Sequence, residues 1–203
     1  TRHLLRRGIM TDVLTNIEQY LHERLDARRL QHSRNTAKVA VELARKYGAD
    51  EQKALVAGLL HDVAKGFCRQ GMLNVAEQYH VDADEMEKAS PELLHGKLGA
   101  AMVKTDLGIS DDEILSAIRW HTTGRANMSL LEKIIYLADL IEPSREFAGI
   151  DEIRKLAYQD IDEAMLVALK QVMDFVKGRG FMLHPSSMEA YQYIENIRRN
   201  IKA

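Results

Sequence analysis

Apolar residues recur at three- and four-residue spacing along almost all of this 203-residue chain, and only three prolines interrupt the pattern. That spacing gathers side chains into one stripe of a helix; a strand would alternate them between two faces. Val13, Leu14, Ile17, Tyr20 and Leu21 form a first stripe, and Ala37, Ala40, Val41 and Ala44 a second that Gly48 is placed to end. Asp50 can cap a third helix through Ala54-Leu55-Val56-Ala57-Gly58-Leu59-Leu60. Ser90-Pro91 sets a capping residue before a proline at the first helical position. Asp82…Glu85, Ser110…Glu113, Ser129…Glu132 and Ser186…Glu189 have capping-box spacing. Asp160 to Lys177 forms a long amphipathic helix ended by Gly178-Arg179-Gly180. The expectation is one all-α domain over residues 11–203, preceded by an N-terminal extension over residues 1–10. Loops are expected near residues 64–72, 121–128, 143–150 and 178–186.

Composition narrows the function classes. A formal net charge of −2 offers no electrostatic reason for nucleic-acid binding. No apolar run approaches the roughly 20 residues of a membrane span, and no signal-peptide pattern is visible, so the expected location is cytoplasmic. The single cysteine, Cys68, rules out a thiolate-cluster metal site within the chain. Any metal here is held by nitrogen and oxygen.

The third helix closes on the pair His61-Asp62. Burying an imidazole and a carboxylate side by side is costly unless something pairs with them, and a divalent cation is a natural partner. Other donors fall at comparable places. His32 is expected just before the second helix, His95 about a turn into the helix begun by Pro91, and His121 at the end of the next. Asp139 sits mid-helix within Ile134-Ile135-Tyr136-Leu137-Ala138-Asp139-Leu140-Ile141. Helices of a bundle bring such side chains together in the core across long stretches of sequence. His3, His22 and His80 are read as surface or terminal residues.

The order His32, His61-Asp62, His95, His121, Asp139 resembles the HD-domain metallophosphohydrolase superfamily. Arg29-Leu30-Gln31-His32-Ser33, His61-Asp62-Val63-Ala64-Lys65, Leu94-His95-Gly96-Lys97 and His121-Thr122-Thr123-Gly124 are similar to its YqeK-type symmetrical diadenosine tetraphosphate hydrolases. Asp139-Leu140-Ile141-Glu142-Pro143-Ser144-Arg145 and Leu183-His184-Pro185 extend the likeness, which covers roughly residues 12 to 200. The resemblance implies an HD-type helical bundle around a dinuclear site. Its metal ligands would be His32, His61, Asp62, His95, His121 and Asp139.

Six such ligands are too many for one cation that must keep positions open for substrate. With Asp62 bridging, one ion would take His32, His61 and Asp139, and the other His95 and His121. Carboxylate and imidazole donors admit iron, manganese, zinc, nickel or cobalt as divalent or trivalent ions, and the resemblance favours iron. A hydroxide bridging the ions would attack a phosphorus, giving two ADP. The resemblance also implies that Asp62 and Lys65 are catalytic, and that Arg29, His32, Lys65, His95, His121, Thr122, Arg145 and His184 contact the substrate. Glu142 either closes its helix or steadies a ligand histidine. Three alternatives remain open: an HD phosphohydrolase of another nucleotide, a nucleoside monophosphate or guanosine polyphosphate; a metal-containing nucleotide-binding regulator with negligible turnover; and an all-α scaffold without metal. The partners expected are the dinucleotide and ADP, not nucleic acid or membrane, and a homodimer stays open.

Overall fold

The computed structural model describes the backbone from Arg2 to Lys202 and the side chains from Asp12 to Asn200. The extension expected over residues 1–10 lies outside the described side chains, as does His3. Among the described residues there are helices and no strand. In chain order they are α1 (Arg2–His22), α2 (Ala27–Tyr47), α3 (Glu51–Leu60), α4 (Arg69–Gln78), α5 (Glu85–Ala89), α6 (His95–Leu107), α7 (Asp112–Trp120), α8 (Leu130–Ile141), α9 (Ile150–Ala157), α10 (Ile161–Gly178) and α11 (Pro185–Lys202). Single 3-10 turns, Val63–Gly66 and Pro91–Leu94, precede α4 and α6. No described helix is long and apolar enough to cross a membrane.

α8 is the axis of the bundle. Ile134, Ile135, Leu137 and Ala138 are completely buried, and α2, α3, α7, α9 and α10 pack around them. The close crossings that set the site need small residues. A Cβ on Gly58 would come within 2.6 Å of the Ala37 backbone, so only glycine lets α3 lie so close to α2. At Gly96 it would meet the Arg119 carbonyl at 2.7 Å, so glycine also brings α6 down onto the end of α7. Each of these glycines lies one to three residues from a histidine of the metal-ligand pattern.

The structure moves several expected boundaries. α7 is capped by Asp111, not Ser110: its carboxylate accepts the Glu113 and Ile114 amides, and with Ile114 at the third helical position no capping box forms. The capping box before α5 is Asp84…Glu87, two residues later than expected. α11 starts at Pro185, and His184 Nδ1, 3.2 Å from the Ser186 amide, takes the accepting role expected of Ser186. The expected loop over 64–72 is half helical, because residues 63–66 form a tight turn and α4 begins at Arg69. His32 lies inside α2, which Asp26 opens by accepting the Arg29 amide. The Ser129…Glu132 box and the caps at Asp50 and Asp160 stand as expected.

Candidate metal centre

Three histidines use the same local device. His61 and His121 are the capping residues that end α3 and α7, and His95 is the first residue of α6. Their Nδ1 atoms lie 2.8 Å from the Gly58 carbonyl, 2.7 Å from the Ile118 carbonyl and 2.5 Å from the Glu92 carbonyl. Each ring therefore donates its Nδ1–H to the carbonyl three residues earlier. Those carbonyls are available because a helix or turn leaves its last acceptors unpaired. The partner fixes the tautomer, and Nε2 is left as a bare lone pair. His32 reaches the same state another way, donating Nδ1–H to Glu142 Oε1 at 3.1 Å.

All four Nε2 atoms converge. His32 Nε2 is 3.2 Å from His61 Nε2, and His95 Nε2 is 3.0 Å from His121 Nε2. Asp139 Oδ1 lies 2.9 Å from His32 Nε2 and 3.7 Å from His61 Nε2. The Asp62 carboxylate stands between the two groups. Its Oδ2 is 3.6 Å from His32 Nε2, and its Oδ1 is 3.3 Å from His121 Nε2 and 3.5 Å from both His61 and His95. The donor atoms of His32, His61 and Asp139 lie within 4.8 Å of one another, as do those of His61, Asp62 and His121.

Metal ions fit this arrangement. Neutral imidazoles that spend their N–H on a carbonyl repel one another when their remaining lone pairs face at about 3 Å, and only a shared positive charge makes that stable. Asp62 Oδ1 is moreover buried without a hydrogen bond of its own, with the Lys65 ammonium, 3.0 Å away, to balance its charge. A buried carboxylate oxygen among imidazole nitrogens is the donor set a cation suits.

The electrostatics agree. Burial, with the Lys65 charge beside it, holds the His95 imidazole down at about 4, and burial lowers His121 too. Both rings are thus unprotonated at neutral pH, as ligands must be. His61 differs: burial opposes its charged form, but Asp62 and Asp139 overcome it and raise that ring, so its Nε2 attracts positive charge, the place a bound cation would take from a proton. Burial likewise works against both carboxylates. Even so, Asp62 is held well below the usual range by the His61 and Lys65 charges, and Asp139 by its contacts with His32 and His61.

A cavity of about 140 Å³ opens above the cluster, lined by Lys65, His95, His121, Thr122, Leu140 and Val172 among others. Lys65 Nζ is 3.0 Å from Asp62 Oδ1, carried there by the Val63–Gly66 turn. Arg145 donates from Nη2 to Asp139 Oδ1 at 2.5 Å and from Nε to the Asp139 carbonyl at 3.0 Å. Thr122 Oγ1 stands 3.0 Å from His95 Nε2. His184 is set back: it pairs with Asp84 at 3.3 Å and shares a small cavity of about 80 Å³ with Thr122 and Trp120. Arg29 is not brought into the cluster. It is half-exposed one turn before His32 on the same face of α2, with its guanidinium 3.9 Å from Asp26.

Around Glu142 lies a support that the sequence reading only half found. This fully buried carboxylate holds His32 and also accepts from Asn35 Nδ2 at 3.0 Å, the Ser144 amide at 2.8 Å and the Ser144 hydroxyl. Arg154 pins the same loop through the carbonyls of Ile141, Glu142 and Arg145, at 3.1, 3.2 and 3.0 Å. Asn35, Ser144 and Arg154 were not singled out from the sequence. The one available signal was Asn35, three residues after His32 and so on its helix face.

The family described as HD domain matches residues 29–144, from the turn before His32 to the loop after Glu142. The chain belongs to the HD-domain family. Membership implies divalent metal binding, and the His and Asp cluster supplies the donors. This HD-domain chain is 38% identical over 172 residues to a Bacillus subtilis protein named symmetrical bis(5'-nucleosyl)-tetraphosphatase, covering 85% of this chain and 92% of that one. A Staphylococcus aureus protein of the same name is 35% identical over 182 residues, covering 89% and 93%. Among solved structures, a predicted HD superfamily hydrolase involved in NAD metabolism from Clostridium acetobutylicum superposes with a TM-score of 0.87 at 40% identity. That match covers 90% of this chain and 97% of the other.

Proposed function

We propose that this protein is a metal-dependent hydrolase that cleaves diadenosine tetraphosphate symmetrically into two ADP. The observation that carries the reading is the convergence of four imidazole Nε2 atoms on the Asp62 and Asp139 carboxylates. It occurs in a chain whose relatives at 35–38% identity bear the symmetrical tetraphosphatase name.

His32, His61 and Asp139 would hold one ion, His95 and His121 the other, with Asp62 shared between them. The resemblance favours iron. Bound there, the ions activate water and neutralise charge on the phosphoryl oxygens. The chain's own groups do the rest. Nδ1–H donation to Glu142 and to three carbonyls keeps the imidazole rings from rotating or binding through the wrong nitrogen. Lys65 and Arg145 rest on the ligand carboxylates and can turn from them to phosphate oxygens, Lys65 as a point charge and Arg145 as a planar fork. Arg29 would reach the polyphosphate from the rim. Thr122 and His184 would line the path of one nucleotide half.

The test is turnover of diadenosine tetraphosphate by metal-loaded protein, with products separated by chromatography. ADP as sole product, abolished in Asp62→Ala, is the expected result. ATP plus AMP would reject the symmetrical cleavage position. No products from a protein shown to hold its ions would redirect the site to another nucleotide or to a regulator.

A further inference from the structure

A substrate with a nucleoside at each end of a polyphosphate needs room on two sides of the centre that cuts its middle. The cavity above the cluster borders two further spaces. It shares Thr122 with the small cavity that also holds His184 and Trp120. It shares Leu140 and Val172 with a second, larger space of about 330 Å³ walled by Arg145, Phe147, Gln171 and Phe175.

This second space has the chemistry of a base pocket. Phe175 is 59% exposed on α10, a position where an aromatic ring gains little from the core. Phe147 faces the same space from the loop after α8 and packs partly on the core. The loop is fixed: the Gln171 amide donates to the Ala148 carbonyl, and Arg154 holds the Arg145 carbonyl at 3.0 Å. Arg145 belongs to both regions, with its guanidinium on Asp139 at one end and the pocket at the other. Passing from cluster to pocket, a ligand meets a cation and then aromatic and aliphatic surface, the order in which a nucleotide presents phosphate and base.

Building on the function proposed above, we propose that the Phe147–Phe175 pocket takes the base of one nucleotide half, with Arg145 at its threshold on the adjoining phosphates. The other half leaves past Thr122 toward His184. The bound substrate is then extended, its two bases drawn apart, and the two ends see different surroundings: largely apolar beyond Arg145 at one, and at the other Trp120 among charged and hydroxyl side chains.

Phe175→Ala and Phe175→Trp test the assignment, because a side chain this exposed can be changed without emptying the core. Loss of one stacked ring is worth about tenfold in affinity. The alanine variant should raise KM for diadenosine tetraphosphate about tenfold with kcat within about twofold, and tryptophan should restore KM. Binding is read separately with the 1,N6-etheno derivative of the dinucleotide, whose fluorescence rises when its bases unstack, in an Asp62→Ala background so that cleavage, which also separates the bases, adds nothing. Protein with Phe175 intact should give that rise, and the added Phe175→Ala change should need about tenfold more protein to reach it. An unchanged KM and an unchanged titration in Phe175→Ala would overturn the pocket and leave the hydrolase intact. Wild type that binds the probe in a Phe175-dependent way but releases no ADP would overturn the hydrolase and keep the pocket.

Discussion

The two halves of the centre are built by different means. His95 and His121 are held by backbone carbonyls within their own turns, and their side chains are 4% and 0% exposed. His32 is held by the carboxylate of Glu142, 110 residues away, and Asp139 is gripped by Arg145. In the first half the support is part of the helix ends and forms as soon as they do. In the second it exists only after α2 and the loop behind α8 have met. A ligand steadied by backbone cannot be loosened by substituting its partner, whereas one steadied by a side chain can. The HD pattern thus contains one half held wholly within its own turns and another in which only His61 is so held while His32 and Asp139 depend on tertiary partners, the two joined by Asp62.

Glu142→Ala should break the comparison most severely. Removing the acceptor of His32 Nδ1–H should weaken metal binding about 10–100-fold, as other losses of ligand-supporting carboxylates do. The loss should fall on one of two ions, seen as a split in a metal titration. Equal weakening of both would show that the halves are not independent. Glu142→Gln keeps an acceptor and should lose less.

The backbone-held half is reached through its packing. Gly96→Ala drives a methyl against the Arg119 carbonyl, and overpacking of this kind costs about 1–3 kcal/mol. Thermal unfolding should show that loss, together with weaker binding of the ion assigned to His95 and His121. A stable variant with both ions intact would mean that α6 can shift without moving His95.

The smallest effect sharpens the role of Arg145. Arg145→Lys keeps the charge beside Asp139 but removes the planar fork, so metal content should hold while KM for the dinucleotide rises several-fold. A variant that loses metal instead would place Arg145 with the supports of Asp139, away from the substrate.

Much of the site could be read from residue type and spacing. His61 and His121 close apolar helices, where a neutral ring can cap an unpaired carbonyl, and Asp139 interrupts an apolar face that has no other use for a charge. What could not be read is register at helix starts. Asp111 and Asp84 displaced the expected caps because several Ser and Asp residues compete within two positions for the unpaired first-turn amides of the same helix. His32 was expected before its helix because no apolar stripe precedes Ala37; the helix nevertheless starts at Ala27, where Asp26 caps it.

By itself, then, the sequence determined the helical class, the order of the metal donors and which of them could be held by their own turns, because these follow from contacts within a few residues. Tertiary structure alone decided that Glu142, Asn35, Ser144 and Arg154 support His32 and its loop, that Arg29 stays outside the cluster, and that Phe147 and Phe175 line a space adjoining the metal cavity at Leu140 and Val172. These depend on the distances at which whole helices pack, and close packing is permitted by residues without a side chain, such as Gly58 and Gly96, whose effect is invisible until the opposing backbone is in place.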